Sequence, residues 1–488
     1  MRERKDSWAI GAALALFYLS FHSYFYNFDG VACAVAVELG NFKYLVHGNH
    51  LAYGVVGWAF FQIWRLLCYR GPALLCLQTL DSLLHAAAAG VFHSALRKLG
   101  VKRSVAAACA LGLAASYAFW FWALDAQVYP FGTLFLALAL REMTAPRPRP
   151  ARLGVFHGLA VLGHVANVLL APAIVYSLWV ERGPELRRRL LAWAGCAAAV
   201  VLPVYAWAGV FCVRPRSFAD VRVWLLGSAA LTPDKRFAWH GGYSAEQLRR
   251  WLMTCARIFS DYVSLSGGAR AVSLALGLAA LALAAWGLAR ALRGHEPRRP
   301  AVAAALWLLP YACLFLSWEA ITVVYRISDL LPLWLLIALA LDRARGGFWA
   351  GAGLAAGLGA VNGVFSIAPT TTPASNPAYV EAVWVGRAIP ENSWVMATSA
   401  GEVYYPYFGH VRPLNMRYWD GRLPALARRL DELSAAGERV FITERTLSDE
   451  PWQGWLRGYG LAAFADGPEG RLYEVRRAAS PAAGRGRG

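Results

Sequence analysis

Residues 8–30 read WAIGAALALFYLSFHSYFYNFDG, and no Asp, Glu, Lys or Arg interrupts them between Trp8 and Phe28. At about 1.5 Å per helical residue, the apolar part (8–27) is long enough to cross a hydrocarbon core of roughly 30 Å. The basic start Met1-Arg2-Glu3-Arg4-Lys5 resembles that of a secretory signal, but no small-x-small site precedes the aromatic Tyr24-Phe25-Tyr26. The segment is therefore expected to be an uncleaved first span. Asp29, in Tyr26-Asn27-Phe28-Asp29-Gly30, then lies where the chain leaves the membrane, and Asp125 occupies an equivalent exit further on.

The rest of the chain supports the membrane reading. Over 488 residues it is 58% hydrophobic and 16% charged, with 21 Trp and a mean hydropathy of +0.39, more apolar surface than a soluble core hides. The net charge of +18 would suggest nucleic acid if it formed one soluble face. Instead the basic residues sit in short links between apolar runs: Arg97, Lys98, Lys102 and Arg103; Arg141, Arg147, Arg149 and Arg152; Arg182 and Arg187 to Arg189; Arg290 to Arg299; Arg343 and Arg345. That distribution makes the links cytoplasmic and excludes a nucleic-acid partner.

Placing these links on one side predicts spans at 8–27, 73–96, 104–123, 126–142, a hairpin at 153–180, then 190–211, 269–292, 301–318, 328–342 and 348–367, about 11 transmembrane helices within a domain covering 1–367. The hairpin follows because Arg152 and Arg182 belong on the same side. The alternative, one tilted span, would invert everything downstream. Residues 28–72 form an outer loop in which 51–68 suits an interfacial helix, and 212–268 a second outer loop. From 376 to 477 the apolar runs shorten, and segments at 394–398, 439–443 and 471–475 read as strands beside a helix at 424–436: a small α/β extracytoplasmic domain. Residues 478–488 are expected to be disordered. The eight cysteines show no C-x-x-C spacing, so no zinc site or disulfide framework is expected, although Cys212 and Cys255 are close enough to the outer loop to pair.

The N-terminus is thus cytoplasmic and the C-terminal domain periplasmic, as in a multi-pass protein of a bacterial inner membrane. The chemistry is expected on the outer face, where Asp29, Glu38, His47, His50, Asp125, His164, Lys235, Arg236, His240, Glu319, Arg326 and Asp329 collect at the mouths of different spans. Ionisable groups at membrane depth are costly, so they face a wet cavity or each other. One carboxylate can deprotonate a hydroxyl while Arg or Lys steadies a departing phosphate oxygen. Each has a plainer reading. Asp29 and Asp125 also suit helix caps, His164 suits packing, and His47 with His50 lacks a third metal ligand. Arg326 can snorkel, and Asp81 with His85 can be a buried pair.

The order of these features resembles the GT-C superfamily of membrane glycosyltransferases, and within it bacterial relatives of the protein O-mannosyltransferases. The resemblance is carried by Asp29-Gly30, His47-Gly48-Asn49-His50-Leu51-Ala52-Tyr53, Asp125-Ala126-Gln127-Val128-Tyr129, Gly158-Leu159-Ala160 with His164 and Asn167, and Tyr325-Arg326 ahead of Leu331-Pro332. It implies an α-helical polytopic GT-C-like fold and inverting transfer of a sugar from a polyprenyl-phosphate donor to an acceptor hydroxyl on a lipid, polysaccharide or protein. Asp29 would be the general base and Asp125 would orient a substrate. His47, His50, Tyr129, His164 and Asn167 would line the pocket, and Arg326, with Lys235 or Arg236, would bind the lipid phosphate. The family works without metal or with Mg2+ or Mn2+, and both options stay open here. Phe-Asp-Gly and Asp125 depart from the family's more usual acidic pair and Glu. Two competing classes are a transporter or flippase of lipid-linked saccharides, disfavoured by carboxylates gathered at one face and by the lack of inverted repeats, and a non-catalytic scaffold.

Overall fold

The first apolar stretch is helical only to Leu19. In the computed structural model α1 spans Arg2–Leu19, and the aromatic run after it leaves the helix because distant chain satisfies its backbone. Tyr24 N–H donates to Thr370 O at 2.7 Å, and Asn376 Nδ2 donates to Tyr24 O at 3.1 Å. The structure describes residues 2–180, 185–226, 243–294, 298–391, 393–398, 400–419, 422–448, 456 and 459–477. The tail 478–488 and the candidates Lys235, Arg236 and His240 lie outside the described residues. Two compact units result: Met1–Ser23 with Ala36–Pro369, and Tyr24–Val35 with Thr370–Gly488.

Along the chain follow α2 (Phe28–Leu39), α3 (Phe42–Leu45), α4 (Leu51–Leu66), α5 (Ala73–Lys98), α6 (Arg103–Ala115), α7 (Tyr117–Phe121), α8 (Tyr129–Met143), α9 (Pro150–Gly163), α10 (Ala171–Trp179), α11 (Leu186–Trp207) and α12 (Phe218–Leu226). Then come α13 (Ala245–Arg257), α14 (Gly267–Leu292), α15 (Arg298–Ser317), α16 (Ile327–Asp342) and α17 (Gly347–Asn362). Among the described residues six helical stretches are long and apolar enough to cross a membrane: 73–98, 186–213, 267–292, 298–317, 324–342 and 347–371. The expected span 104–123 is broken at Ser116, where the next two N–H groups, of Tyr117 and Ala118, donate to Phe259 O and Ile258 O, both at 2.9 Å, instead of continuing the helix.

Close approaches fix helix directions. A Cβ on Gly154 would stand 2.3 Å from Trp193 O, and one on Gly158 would stand 2.9 Å from Val200 Cβ. Position rises together on both helices, so α9 and α11 run parallel and the chain between them, including α10, folds back. The 153–180 segment is accordingly a hairpin with His164 at its apex. Its backbone there is extended (φ −160°, ψ 127°). Likewise α6 and α17 are parallel, Gly351 lying by Ala108 and Asn362 Nδ2 donating to Ala115 O at 2.8 Å.

The basic links meet at one face of this unit. Lys98 Nζ donates to Arg141 O (3.5 Å), Arg189 to Pro148 O (3.4 Å) and Arg299 to Met143 O (3.2 Å), while Lys102 N–H bonds Asp342 (2.6 Å). We call this the basic face. The opposite, far face carries the ends of α1, α6, α9 and α17. At the centre, α16 is buried almost throughout, and Trp334 Nε1 bonds Ser116 Oγ at 2.9 Å.

The second unit holds a five-stranded sheet of β1 (Trp394–Ala397), β2 (Arg412–Asn415), β3 (Val440–Thr443), β4 (Tyr459–Gly467) and β5 (Gly470–Arg477), in the order β2-β1-β3-β5-β4. β1 is parallel to β2 and β3, and β5 is antiparallel to β3 and β4. The helix Leu423–Ala435 closes one face with Leu426, Leu430 and Leu433 against Met396, Leu414 and Ile442. Residues 24–35 join this unit: the Tyr26 ring stacks on Phe408 at 5.2 Å, and Tyr404 OH donates to Tyr26 O.

Candidate active site

A loop from Ala123 to Val128, between α7 and α8, carries Asp125 at the far face, and α5 holds it in place. Every third or fourth residue of α5 in this region is polar: Gln78, Asp81, Ser82 and His85, all buried. Gln78 Nε2 donates to Leu124 O (2.9 Å) and Ser23 O (3.0 Å), and Ser82 Oγ to Ala123 O (2.8 Å). Asp81 Oδ2 accepts both Gln127 N–H (2.6 Å) and Tyr53 OH (2.7 Å). Gln127 Nε2 in turn donates to Asp125 Oδ2 at 3.1 Å, so one residue links two buried carboxylates. Asp81 and His85 do not pair as expected, since the His85 ring stacks on Phe119 at 4.3 Å. From the sequence, Asp81 is expected only as a buried pair with His85, Tyr53 and Gln127 stand only within motifs, and Gln78 is not singled out. The signal was present in the spacing i, i+3, i+4, i+7 of polar residues within an apolar span, which defines one helix face.

Three candidate histidines converge. His47 and His50 stack at 4.3 Å with their planes 12° apart, in a turn where His50 N–H bonds His47 O. Asn49 O in that turn accepts Val165 N–H at 2.8 Å, beside His164. Tyr205 OH and Trp224 Nε1 hold the turn through Gly48 O (2.7 Å) and Val46 O (3.2 Å). Asn49 N–H bonds His47 Nδ1 and Ala166 N–H bonds His164 Nδ1. An imidazole accepting at Nδ1 carries its hydrogen on Nε2, which fixes the tautomer of both rings. The His47 side chain is exposed, yet desolvation by surrounding protein lowers its affinity for a proton, and His50 is held well below its ordinary value by burial and then by His47 and His164. Among the described residues no group of three His, Cys, Asp or Glu is placed to hold a metal ion.

Tyr129, His164, Asn167 and Tyr325 line one narrow pocket with Tyr311 and Phe315, with about 10 Å3 of water-accessible room, enough for about one water. Tyr129 stacks on His164 at 5.1 Å, and Tyr325 stacks on Trp318 at 4.9 Å. Asn167 is tied into the walls, its Nδ2 donating to Ala160 O (2.8 Å) and its Oδ1 accepting Tyr311 OH (2.9 Å). Its contribution is the shape of that pocket. Arg326 is 2% exposed; it pairs with Asp329, lies 5.0 Å from the Trp251 ring centroid and approaches Cys255 Sγ at 3.5 Å. Its Nη1 is buried and has no hydrogen-bond partner among the described residues. Cys212 and Cys255 form no disulfide with each other.

In the second unit, Asp29 lies in the first turn of α2, and the helix is capped by Asn27, whose Oδ1 accepts Asp29 N–H at 2.9 Å. The Asp29 carboxylate is therefore not consumed as a cap. Its side chain touches water, yet desolvation by surrounding protein still raises its proton affinity above the ordinary value.

The fold, one helical unit and one small sheet unit, is shared with solved membrane-enzyme structures only at the level of architecture. It aligns with ArnT from Cupriavidus metallidurans bound to undecaprenyl phosphate at a TM-score of 0.66 and 12% identity, over 96% of this chain and 97% of that one. The apo state of the same ArnT gives 0.66 at 13% identity over the same shares. An Archaeoglobus fulgidus oligosaccharyltransferase in the apo form aligns more loosely, at 0.47 and 11% identity over 83% of this chain and 64% of that one. No protein-family model matches the sequence, and no characterised protein matches it by sequence.

Proposed function

We propose that the protein is an integral membrane glycosyltransferase that moves a sugar from a polyprenyl-phosphate donor to an acceptor hydroxyl at the extracytoplasmic side of a bacterial inner membrane. The observation that carries this reading is the fold shared almost end to end with ArnT, whose structure holds undecaprenyl phosphate. What supports the side is the basic face, which the positive-inside rule would put in the cytoplasm with the N-terminus, the Asp125 loop and the histidine turn lying at the opposite face of the helical unit; the C-terminal domain is taken to be periplasmic.

The chemistry follows from the donor. A sugar on a polyprenyl phosphate already carries its leaving group, so the protein must supply position, one base and positive charge. Asp29 takes the proton of the acceptor hydroxyl, whose oxygen attacks the anomeric carbon from the side opposite the phosphate. The anomeric C–O bond breaks, the electron pair leaves with the polyprenyl phosphate, and configuration inverts. Asp125, fixed through Gln127, orients a sugar hydroxyl. His47, His50 and His164 present N–H donors, Tyr129 and Asn167 shape the adjoining pocket, and the unpartnered Nη1 of Arg326 meets a phosphate oxygen. Lys235 and Arg236 are assigned to the same phosphate. The acceptor class is a lipid, a polysaccharide or a protein hydroxyl.

The test is Asp29→Asn in purified, reconstituted protein supplied with a radiolabelled polyprenyl-phosphate sugar. Transfer is expected to fall at least a hundredfold with an unfolding temperature no lower than that of the wild type. Full turnover by that variant would remove Asp29 as base, and movement of the lipid between leaflets with no new glycosidic bond would identify a carrier instead.

A further inference from the structure

An apolar groove of about 730 Å3 runs between α1, α5 and α8, and none of the 123–128 loop residues lines it. Its walls are small or aliphatic, among them Gly11, Ala15, Leu83, Ala87 and Leu134, and its polar groups, Ser7, Ser94, Arg141 and Arg152, stand toward the basic face. Trp8, 78% exposed, flanks that end as aromatic residues do at membrane interfaces. We propose that this groove binds one anionic phospholipid of the leaflet at the basic face, its acyl chain along the helices and its phosphate on the arginines.

Two observations choose this occupant. The first is depth. From Ser94 to Leu83 the groove follows eleven residues of α5, about 16 Å at 1.5 Å each, which matches the roughly 15 Å of one leaflet's hydrocarbon. A polyprenyl tail is much longer, and its phosphate would belong at the far face.

The second is charge. Lys98, Arg141, Arg149 and Arg152 cluster at the mouth: Lys98 Nζ lies 3.5 Å from Arg141 O, and Arg141 Nε is held toward the groove by Ser94 Oγ at 2.8 Å. The carboxylate among them, Glu142, accepts Arg149 N–H at 3.0 Å and lies 3.8 Å from Arg152 Nε. The nearby acid on α1, Asp6, is paired with Arg103 at 2.7 Å. Among the described residues, four cations against one engaged carboxylate at the edge of an apolar slot complement a phosphate with a hydrocarbon chain attached. A zwitterionic headgroup would bring its own cation into the same ring and bind less well.

The full-length protein, purified in detergent and exposed to phosphatidylglycerol or phosphatidylcholine of identical acyl chains, is examined by native mass spectrometry. Phosphatidylglycerol is expected to be retained at least tenfold more strongly. Arg152→Gln, at an exposed side chain, should reduce that retention about fivefold while leaving phosphatidylcholine unchanged. Ala87→Trp should fill the slot and abolish selective retention, with a melting curve showing that it still folds. Equal retention of both lipids by the wild-type protein, or unaltered binding in Arg152→Gln, would overturn the proposal. So would displacement of phosphatidylglycerol from the Ala87-sensitive site by undecaprenyl phosphate, which would give the groove to the donor lipid. None of these readouts depends on sugar transfer, so the outcome is separate from that of the glycosyltransferase reading.

Discussion

Replacing Asp81 with leucine tests whether α5 builds the Asp125 loop. The side chain is fully buried and its Oδ2 accepts two hydrogen bonds, from Tyr53 OH at 2.7 Å and Gln127 N–H at 2.6 Å. Leucine keeps the volume and removes both acceptors. Each orphaned buried donor costs about 1 to 3 kcal/mol, giving roughly 2 to 6 kcal/mol for the pair. Side-chain hydrogen bonds inside membrane proteins average only about 0.6 kcal/mol, and losing a buried carboxylate brings some relief, so the loss is expected near the lower end, about 2 kcal/mol. Asp81→Asn retains an acceptor and should cost less than about 1 kcal/mol. Tyr53→Phe should be mildly destabilising alone and nearly neutral in the Asp81→Leu background, because its partner is already gone. Thermal unfolding followed by a thiol-reactive dye reads this directly, since Cys76 and Cys109 are free and fully buried. Hydrogen exchange at 124–128 reads the loop itself. An Asp81→Leu protein that unfolds with the wild type and protects those amides equally would refute the role given to Asp81.

Gly154→Ala should destabilise by about 1 to 3 kcal/mol, because the added methyl meets the Trp193 carbonyl and the helices cannot both stay where they are; Gly353→Ala, where nothing stands within 4 Å, serves as control in the same melting assay. His47 and His50 have proton affinities depressed below 6.5 in the folded state, so the unfolded chain takes up protons first. Their stabilising contribution is complete above pH 6.5 and is lost as pH falls below it, a limb of the stability profile that His50→Gln should flatten. Asp29 has the opposite sign, its folded value lying above 3.8, so its ionised form opposes folding once pH exceeds that value, and the rate of transfer should rise with pH through the raised value. A pH–rate profile with its acid limb at or below 3.8 would contradict this.

Span length and the basic links made most of the helical domain readable, because hydrocarbon thickness and the charge rule act on local sequence. The hairpin at 153–180 was accessible through charge alone, with Arg152 and Arg182 as the decisive pair. Helix ends were less legible. Residues 20–27 look like more of the same apolar helix, and only the bonds from Tyr24 to Thr370 and Asn376, some 350 residues away, explain why they are extended. In the sheet, β1, β3 and β5 carried the expected β-branched and aromatic residues. β2 (Arg412-Pro413-Leu414-Asn415) and β4, rich in Ala and Gly, did not, and both are edge strands where such residues are tolerated. At the site, the residues with evident chemistry could be named, but those that hold them could not. Asp81 acquires its meaning only when Tyr53 and Gln127 close on it from 28 and 46 residues away.

The membership of residues 24–35 in the unit completed by residues 370 onward has a consequence for biogenesis. Synthesis at about 5 to 20 residues per second separates the two pieces by roughly 17 to 67 seconds, for the 335 residues between 35 and 370. Throughout that interval Tyr24 and Tyr26 wait without Asn376, Tyr404 or Phe408, and their aromatic rings are open to chaperones and proteases outside the membrane. Ribosomes stalled before residue 370 should therefore carry a protease-sensitive nick site just after the first helix, which disappears once the last strand has been released.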